Sequence, residues 1–161
     1  MIEEEIKKYY KLAKIISYAV IGIVIIYAIT IEIFKNAGTG FKPLLQAQPA
    51  VIAKIAGFFM AISIFTIINQ ISKTKLKKEN NKTAEEFLQN IFFVDMIKAA
   101  IFEVPAFIGF ILFFLTGAYL EFYMFSAFSV ALVIANFPKV EKWNKQLKER
   151  LTTIQENHNA N

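Results

Sequence analysis

The chain has 161 residues, no cysteine, a single histidine (His158) and a net charge of +5, counts that argue against disulfide frameworks, cysteine or histidine metal clusters and most histidine-based catalysis. A hydrophobic share of 56%, 17 phenylalanines and a mean hydropathy of +0.45 amount to more apolar surface than one small water-soluble core can hide. The excess is expected to face lipid, and neither a metal nor a cofactor is expected.

In chain order, Glu3, Glu4 and Glu5 suit the first turn of a helix. Lys7, Lys8, Lys11 and Lys14 follow, and then the first apolar run, IISYAVIGIVIIYAITIEIF at 15–34. It is long enough to cross about 30 Å of hydrocarbon, which takes roughly 20 helical residues. It lacks a small-residue cleavage pattern and is expected to stay as a membrane helix. A loop at 35–48 with only Lys35 and Lys42 leads to the second run, 49–70. The segment 71–98 is polar and basic at its start, with Lys73, Lys75, Lys77, Lys78 and Lys82. The first four of these are candidate contacts for anionic lipid headgroups. Within it, Thr83 and Glu86 have capping-box spacing, and Phe87, Ile91, Val94 and Lys98 recur at helical spacing, so the third helix is expected to begin near 84. Its apolar part, AAIFEVPAFIGFILFFLTG, occupies 99–117, and the turn-like TGAY separates it from a fourth run at 119–137. Pro138 then breaks or kinks the chain before an amphipathic segment with Trp143 and Leu147 and a polar, fraying tail.

The expected architecture is all-α: a bundle of four transmembrane helices over 1–138, with a cytoplasmic loop at 71–98 and a cytoplasmic amphipathic helix and tail over 139–161. Lys and Arg gather before the first run, in the middle loop and in the tail, while the other two loops hold few or none. The positive-inside rule therefore puts both termini in the cytoplasm of a multi-pass protein of the bacterial inner membrane. The lysines flank apolar runs and are not interleaved with stacking aromatics, so no nucleic acid partner is expected.

Charges inside the runs carry the functional interest, since each costs roughly 2.5–3.5 kcal/mol at the centre of a membrane helix on insertion scales. Glu32 and Lys54 match in depth near the outer end and are expected either to pair or to snorkel separately to water. Glu103 lies deeper, in a stripe of small residues with Ala99, Ala106 and Gly109, two residues before Pro105. That proline frees the carbonyl of Ile101 and is a candidate kink. Counted from Lys98, the depth neighbours of Glu103 are expected to be Ser17, Tyr18, Asn69, Gln70 and either Ser129 or Asn136.

The order of apolar helix, basic loop and second helix with an intramembrane carboxylate resembles the hairpin of rotary ATPase proteolipid (c) subunits. The likeness spans 50–117, with FEVPAFIGFILFF similar to their ion-binding helix and Glu103 at the place of the ion-binding carboxylate. The glycine-rich first helix of that family is represented here by Gly57 alone, and its usual polar loop motif is missing. The chain also resembles small uncharacterised bacterial four-helix membrane proteins with an E-x-P-A-x-x-G helix and a terminal Phe-Pro followed by basic residues, here Phe137 and Pro138.

Three functional classes follow. One is a noncatalytic membrane component that associates with itself or joins a larger membrane complex, with Glu103 as a packing polar group. Another is proton or cation coupling, with Glu103 as a reversible site assisted by Ser129 and Asn136. An enzyme ranks last, because no nucleophile and base pair, metal cluster or phosphate-binding glycine loop is visible and no catalytic residue is assigned.

Overall fold

The computed structural model describes residues 2–36, 42–45, 47–76 and 83–159, and these are all-α with no strand among them. Five helices follow in order: α1 Ile2–Asn36, α2 Ala47–Lys75, α3 Ala84–Thr116, α4 Tyr119–Ala135 and α5 Val140–Asn159. Three of them, α1, α2 and α3, are long and apolar enough to cross a membrane. The fourth expected run is α4, whose 17 residues reach that criterion only together with α5, which leaves it at 52°.

Local chemistry sets these boundaries. The Thr83 hydroxyl accepts from Glu86 N–H at 3.2 Å and the Glu86 carboxylate accepts from Thr83 N–H at 3.2 Å, closing the expected capping box. At the other end of α3, Gly117 adopts the left-handed conformation (φ 71°) and donates its N–H to Phe113 O at 2.7 Å. Pro43 lies over Gly117, and Leu45 N–H donates to Leu115 O at 2.8 Å, so the chain between α1 and α2 closes the end of α3. Pro105 sits inside α3, whose helix runs through it unbroken, and is fully buried. The tail is helical further than expected, to Asn159, with 160 and 161 outside the described residues.

The arrangement centres on α3. Helices α1 and α3 run parallel in nearly constant register, with Tyr9 against Phe92 at one end and Phe34 against Phe114 at the other. Helices α2 and α4 run antiparallel to α3. Gly57 of α2 lies against Ile108 and Leu112, and Gly109 of α3 lies against Phe122 and Phe125 of α4. At 100° per residue, these contacts put α2, α4 and α1 in that order around α3. The remaining face of α3, with Ala100, Val104, Phe107 and Ile111, is exposed between α1 and α2.

Buried residues fall into three clusters along this axis. The starts of α1 and α3 meet α5 in a core of Ile6, Ala13, Phe87, Leu88, Ile91, Trp143 and Leu147. Both termini of the described chain therefore lie at one end, together with the start of α3. Above it, Val20, Ile64, Ile68, Ala99, Phe102, Leu132 and Val133 join all four long helices, and Ile31, Phe113 and Phe122 close the far end.

Gly109 brings α3 against the backbone of α4. A Cβ there would stand 2.9 Å from Phe125 Cβ and 3.1 Å from the backbone Cα of Phe122, so α3 and α4 would have to part. Gly109→Ala should lower stability by about 1–3 kcal/mol, the usual range for overpacking. At Gly22 nothing lies within 4 Å of such a Cβ. Gly22→Ala should therefore be neutral, or stabilise by up to about 1 kcal/mol through helix propensity. Denaturant unfolding midpoints of the two variants in mild detergent check this contrast.

Candidate functional site

Polar side chains meet at three levels of the bundle. At the middle level, Tyr27 Oη donates to Glu103 Oε1 at 2.7 Å. The register of α1 on α3 puts Glu103 level with the stretch between Val20 and Val24. Tyr27 lies further along α1, but helical side chains slant toward the N-terminus and its ring reaches back. The ring stacks on Phe110 (4.7 Å between centroids) and touches Phe107 (6.2 Å), which fixes the direction of the hydroxyl.

This corrects the expected surroundings of Glu103. Ser17 instead donates to Ala13 O at 3.0 Å within its own helix, and the exposed Tyr18 packs on Phe137. Gln70 is exposed, and the side chain of Asn69 lies outside those described. Ser129 is fully buried on the α4 side of α3, where its hydroxyl donates to Phe102 O, one residue from the carbonyl that Pro105 leaves open. Asn136 donates to Leu132 O at 3.0 Å. Glu103 is thus bonded to α1, while Ser129 and Asn136, seven residues apart along α4, are bonded to Phe102 O and Leu132 O and not to Glu103. Ser129 does have the expected depth, beside Phe102, but meets α3 on the α4 side, whereas the partner of Glu103 comes from α1.

At the far end, Lys54 pairs with Glu121 of α4, and Glu32 accepts from Tyr123 of α4, from Lys35 at 3.4 Å and from Asn36 at 3.1 Å. The expected contact between Glu32 and Lys54 is therefore replaced by two contacts to α4. Their depths do match, but α4 stands between α1 and α2 and its first turns take both partners. Sequence reasoning could have weighed Glu121, an acid in the first turn of that helix; Tyr123 carried no separate signal.

At the end that holds the termini, Trp143 Nε1 donates to Asp95 Oδ2 at 2.8 Å. Beside them lies a small cavity of about 10 Å³, room for roughly one water-sized sphere, lined by Ser17, Asp95, Lys98 and Asn136 among apolar neighbours. Asp95 precedes the apolar part of α3. Burial pushes its carboxyl above the usual range, against the opposing effects of the Trp143 hydrogen bond and of Lys98 and Lys142. Trp143 was read only as part of an amphipathic segment and Asp95 was not singled out, and no sequence spacing links them. Of the basic loop, Lys73 is exposed, the Lys75 side chain lies outside those described, and Lys77 and Lys78 lie outside the described residues. Among the described residues no group of three or more His, Cys, Asp and Glu is placed to hold a metal ion.

Comparison of the chain with protein-family models, with curated proteins and with solved structures finds no match.

Trp143 is the one tryptophan of the chain, so its fluorescence reads this lower site directly. Asp95→Ala leaves the buried indole N–H without its acceptor, at a cost of about 1–3 kcal/mol, and should red-shift the emission and speed quenching by acrylamide. Asp95→Asn keeps an acceptor and should retain the native spectrum. Because the folded state raises the affinity of Asp95 for its proton, stability from this group falls as pH rises through the window above the ordinary value of 3.8. Unfolding followed against pH should show that decline in the wild type and a flatter profile in Asp95→Asn.

Proposed function

We propose that this chain is a noncatalytic, multi-pass protein of the bacterial inner membrane that associates with itself or joins a larger membrane complex. Four spans, formed by α1 to α4, cross the bilayer, and both termini and the basic loop face the cytoplasm. The observation that carries the reading is the placement of apolar side chains on the outside. Ile25, Ile26, Ile29 and Ile33 of α1 and Ile52, Phe58, Phe59 and Met60 of α2 are all more than half exposed. So broad an apolar exterior is stable against lipid and not against water. The charged residues bracket it: the Lys54, Glu121 and Glu32 contacts lie at one end, and the lysines before residue 15, Lys73 and the lysines of α5 lie at the other. In this setting Lys73, Lys75, Lys77 and Lys78 are assigned to anionic headgroups of the inner leaflet.

Glu103 is read as a packing group, held by Tyr27 in a stripe with the buried small residues Ala99 and Ala106. Proton or cation coupling at Glu103 is the competing reading and rests on the carboxylate alone, since Ser129 and Asn136 are engaged elsewhere.

Because the chain has no cysteine, single cysteines report topology without background. Lys42→Cys and Tyr119→Cys should react with a membrane-impermeant maleimide in intact cells, and Lys73→Cys and Lys145→Cys only after permeabilisation. Reaction of all four in intact cells, or recovery of the protein in the soluble fraction, would overturn the reading.

The role of Glu103 is tested separately. Glu103→Gln keeps an acceptor for Tyr27 and should leave stability within about 0.5 kcal/mol of wild type, while Tyr27→Phe should cost about 0.6–1.7 kcal/mol, the range for hydrogen bonds between membrane helices. Carbodiimide labelling of Glu103 that sodium suppresses would favour coupling instead.

A further inference from the structure

The elbow between α4 and α5 gathers more cations than anions. At 100° per residue, Lys98 falls between the directions in which Gly109 meets α4 and Leu112 meets α2, and it lines the small cavity together with Asn136, the residue that ends α4. Asp95, one turn earlier on α3, lines the same cavity and accepts from Trp143 of α5. Lys142 is the neighbour of Trp143 in the first turn of that helix, and its charge acts on both Asp95 and Lys98. Lys139 stands just before α5 and is exposed, as is Lys142. Three lysines thus stand against one carboxylate, whose Oδ2 is turned to the indole. Glu141, the other acid at the elbow, is exposed and lies about 200° around α5 from Trp143. Among the described residues none of the three lysines has an ion-pair or hydrogen-bond partner.

These groups suit an anion with several oxygens. Lys98 is half-buried, and a cation withdrawn from water without a partner costs free energy. Asn136 is exposed, so the cavity reaches the surface beside it, and its amide spends one N–H on Leu132 O and keeps a second. Lysine ammoniums hold a phosphate as point charges, and an amide N–H adds a directed donor. The apolar part of α3 begins at Ala99, so in a bilayer Lys98 is level with the phosphates of the inner leaflet. Phe128 and Ala135, both exposed, share one stripe of α4 with Glu121, which faces α2. That stripe starts at the elbow on the side of Lys98 and offers an acyl chain a surface to follow.

We propose that the elbow between α4 and α5 is a binding site for a phosphate group, held by Lys98 and Lys142, with Lys139 at the rim and the Asn136 amide as a neutral donor. The group belongs to an anionic phospholipid of the inner leaflet, whose acyl chain lies along Phe128 and Ala135. The proposal rests on the reading of the chain as a membrane protein with this end in the cytoplasm, and it adds one defined lipid site to a basic surface.

Native mass spectrometry of the full chain in a non-ionic detergent, titrated with dioctanoyl-phosphatidylglycerol and separately with inorganic phosphate, tests the site. One tightly bound lipid is expected. Lys98→Gln and Lys142→Gln should each weaken its binding about fivefold. Lys98→Arg should retain it, and Lys145→Gln, on the opposite side of α5 from Trp143, should leave it unchanged. Unfolding midpoints check each variant, and Lys142→Gln, at an exposed position, carries the test if Lys98→Gln does not fold. Inorganic phosphate bound as tightly as the lipid, and weakened by the same variants, would support the phosphate site and overturn its assignment to a lipid. Lipid binding that ignores Lys98→Gln and Lys142→Gln, or that Lys145→Gln weakens equally, would overturn the site while leaving the membrane reading standing. Labelling of Lys145→Cys in intact cells would put the elbow on the outer side and overturn the topology and the inner-leaflet site together.

Discussion

The structure depends on the close approach of three helices to α3. Its buried positions, from Phe87 to Phe113, cover about half of the helix circumference at 100° per residue, so that α1, α4 and α2 each find a part of it. Small residues make this feasible. Gly109 lets the backbone of α4 come near enough that Phe122 is completely buried, and Gly57 does the same for α2 against Ile108 and Leu112. In the proposed bilayer setting no hydrophobic effect acts between helices, so van der Waals contact of this kind is the main attraction available, and it grows with closeness. The large side chains are then displaced outward, which is why so many phenylalanines and isoleucines are on the surface.

Polar contacts between helices add little energy each, about 0.6 kcal/mol on average in membranes, but they fix rotation. Glu121 and Tyr123 are two residues apart on α4, so they point in nearly opposite directions and engage Lys54 of α2 and Glu32 of α1. Turning α4 by a single residue would break both contacts at once. Ser129 adds a third constraint one level down, on the Phe102 carbonyl beside the proline-opened turn of α3. Helix α4 is the shortest of the four, and with these links its rotation is fixed by hydrogen bonds as much as by packing.

Much of this was legible in the sequence. The apolar runs became helices, the Thr83 and Glu86 box forms, and the Thr116–Gly117 break separates α3 from α4. Those features are local: a cap, a glycine or a run of apolar residues acts within one turn. The partners of the charges were not legible, because periodicity gives the depth of a residue and its stripe but not the order of helices around the axis. Glu32 and Lys54 have the expected depths and different partners for that reason. Tyr27 was missed for a related one: its Cα lies well beyond the level of Glu103, and only the slant of its side chain along a parallel neighbour brings the hydroxyl back. Asp95 and Trp143, 48 residues apart, meet only because α5 folds back beside the starts of α1 and α3.

That return of α5 explains the lengths of α1 and α3. A span needs about 20 residues, yet these helices have 35 and 33. The extra turns carry Ile6, Phe87, Leu88 and Ile91, which join Trp143 and Leu147 in a separate core. This lower core obeys ordinary soluble-protein rules: helix α5 is polar on its outside and apolar on one stripe, and its indole N–H is satisfied by a carboxylate. The upper part of the same two helices differs on its outside: large apolar side chains such as Ile25, Ile29, Phe107 and Ile111 are exposed around a core that is apolar as well. Because α1 and α3 run unbroken through both parts, the parallel register set in the lower core is the register that brings Tyr27 to Glu103. A slip of either helix in the lower core would therefore separate that pair several turns away, so the two packing regimes are coupled through helix geometry alone.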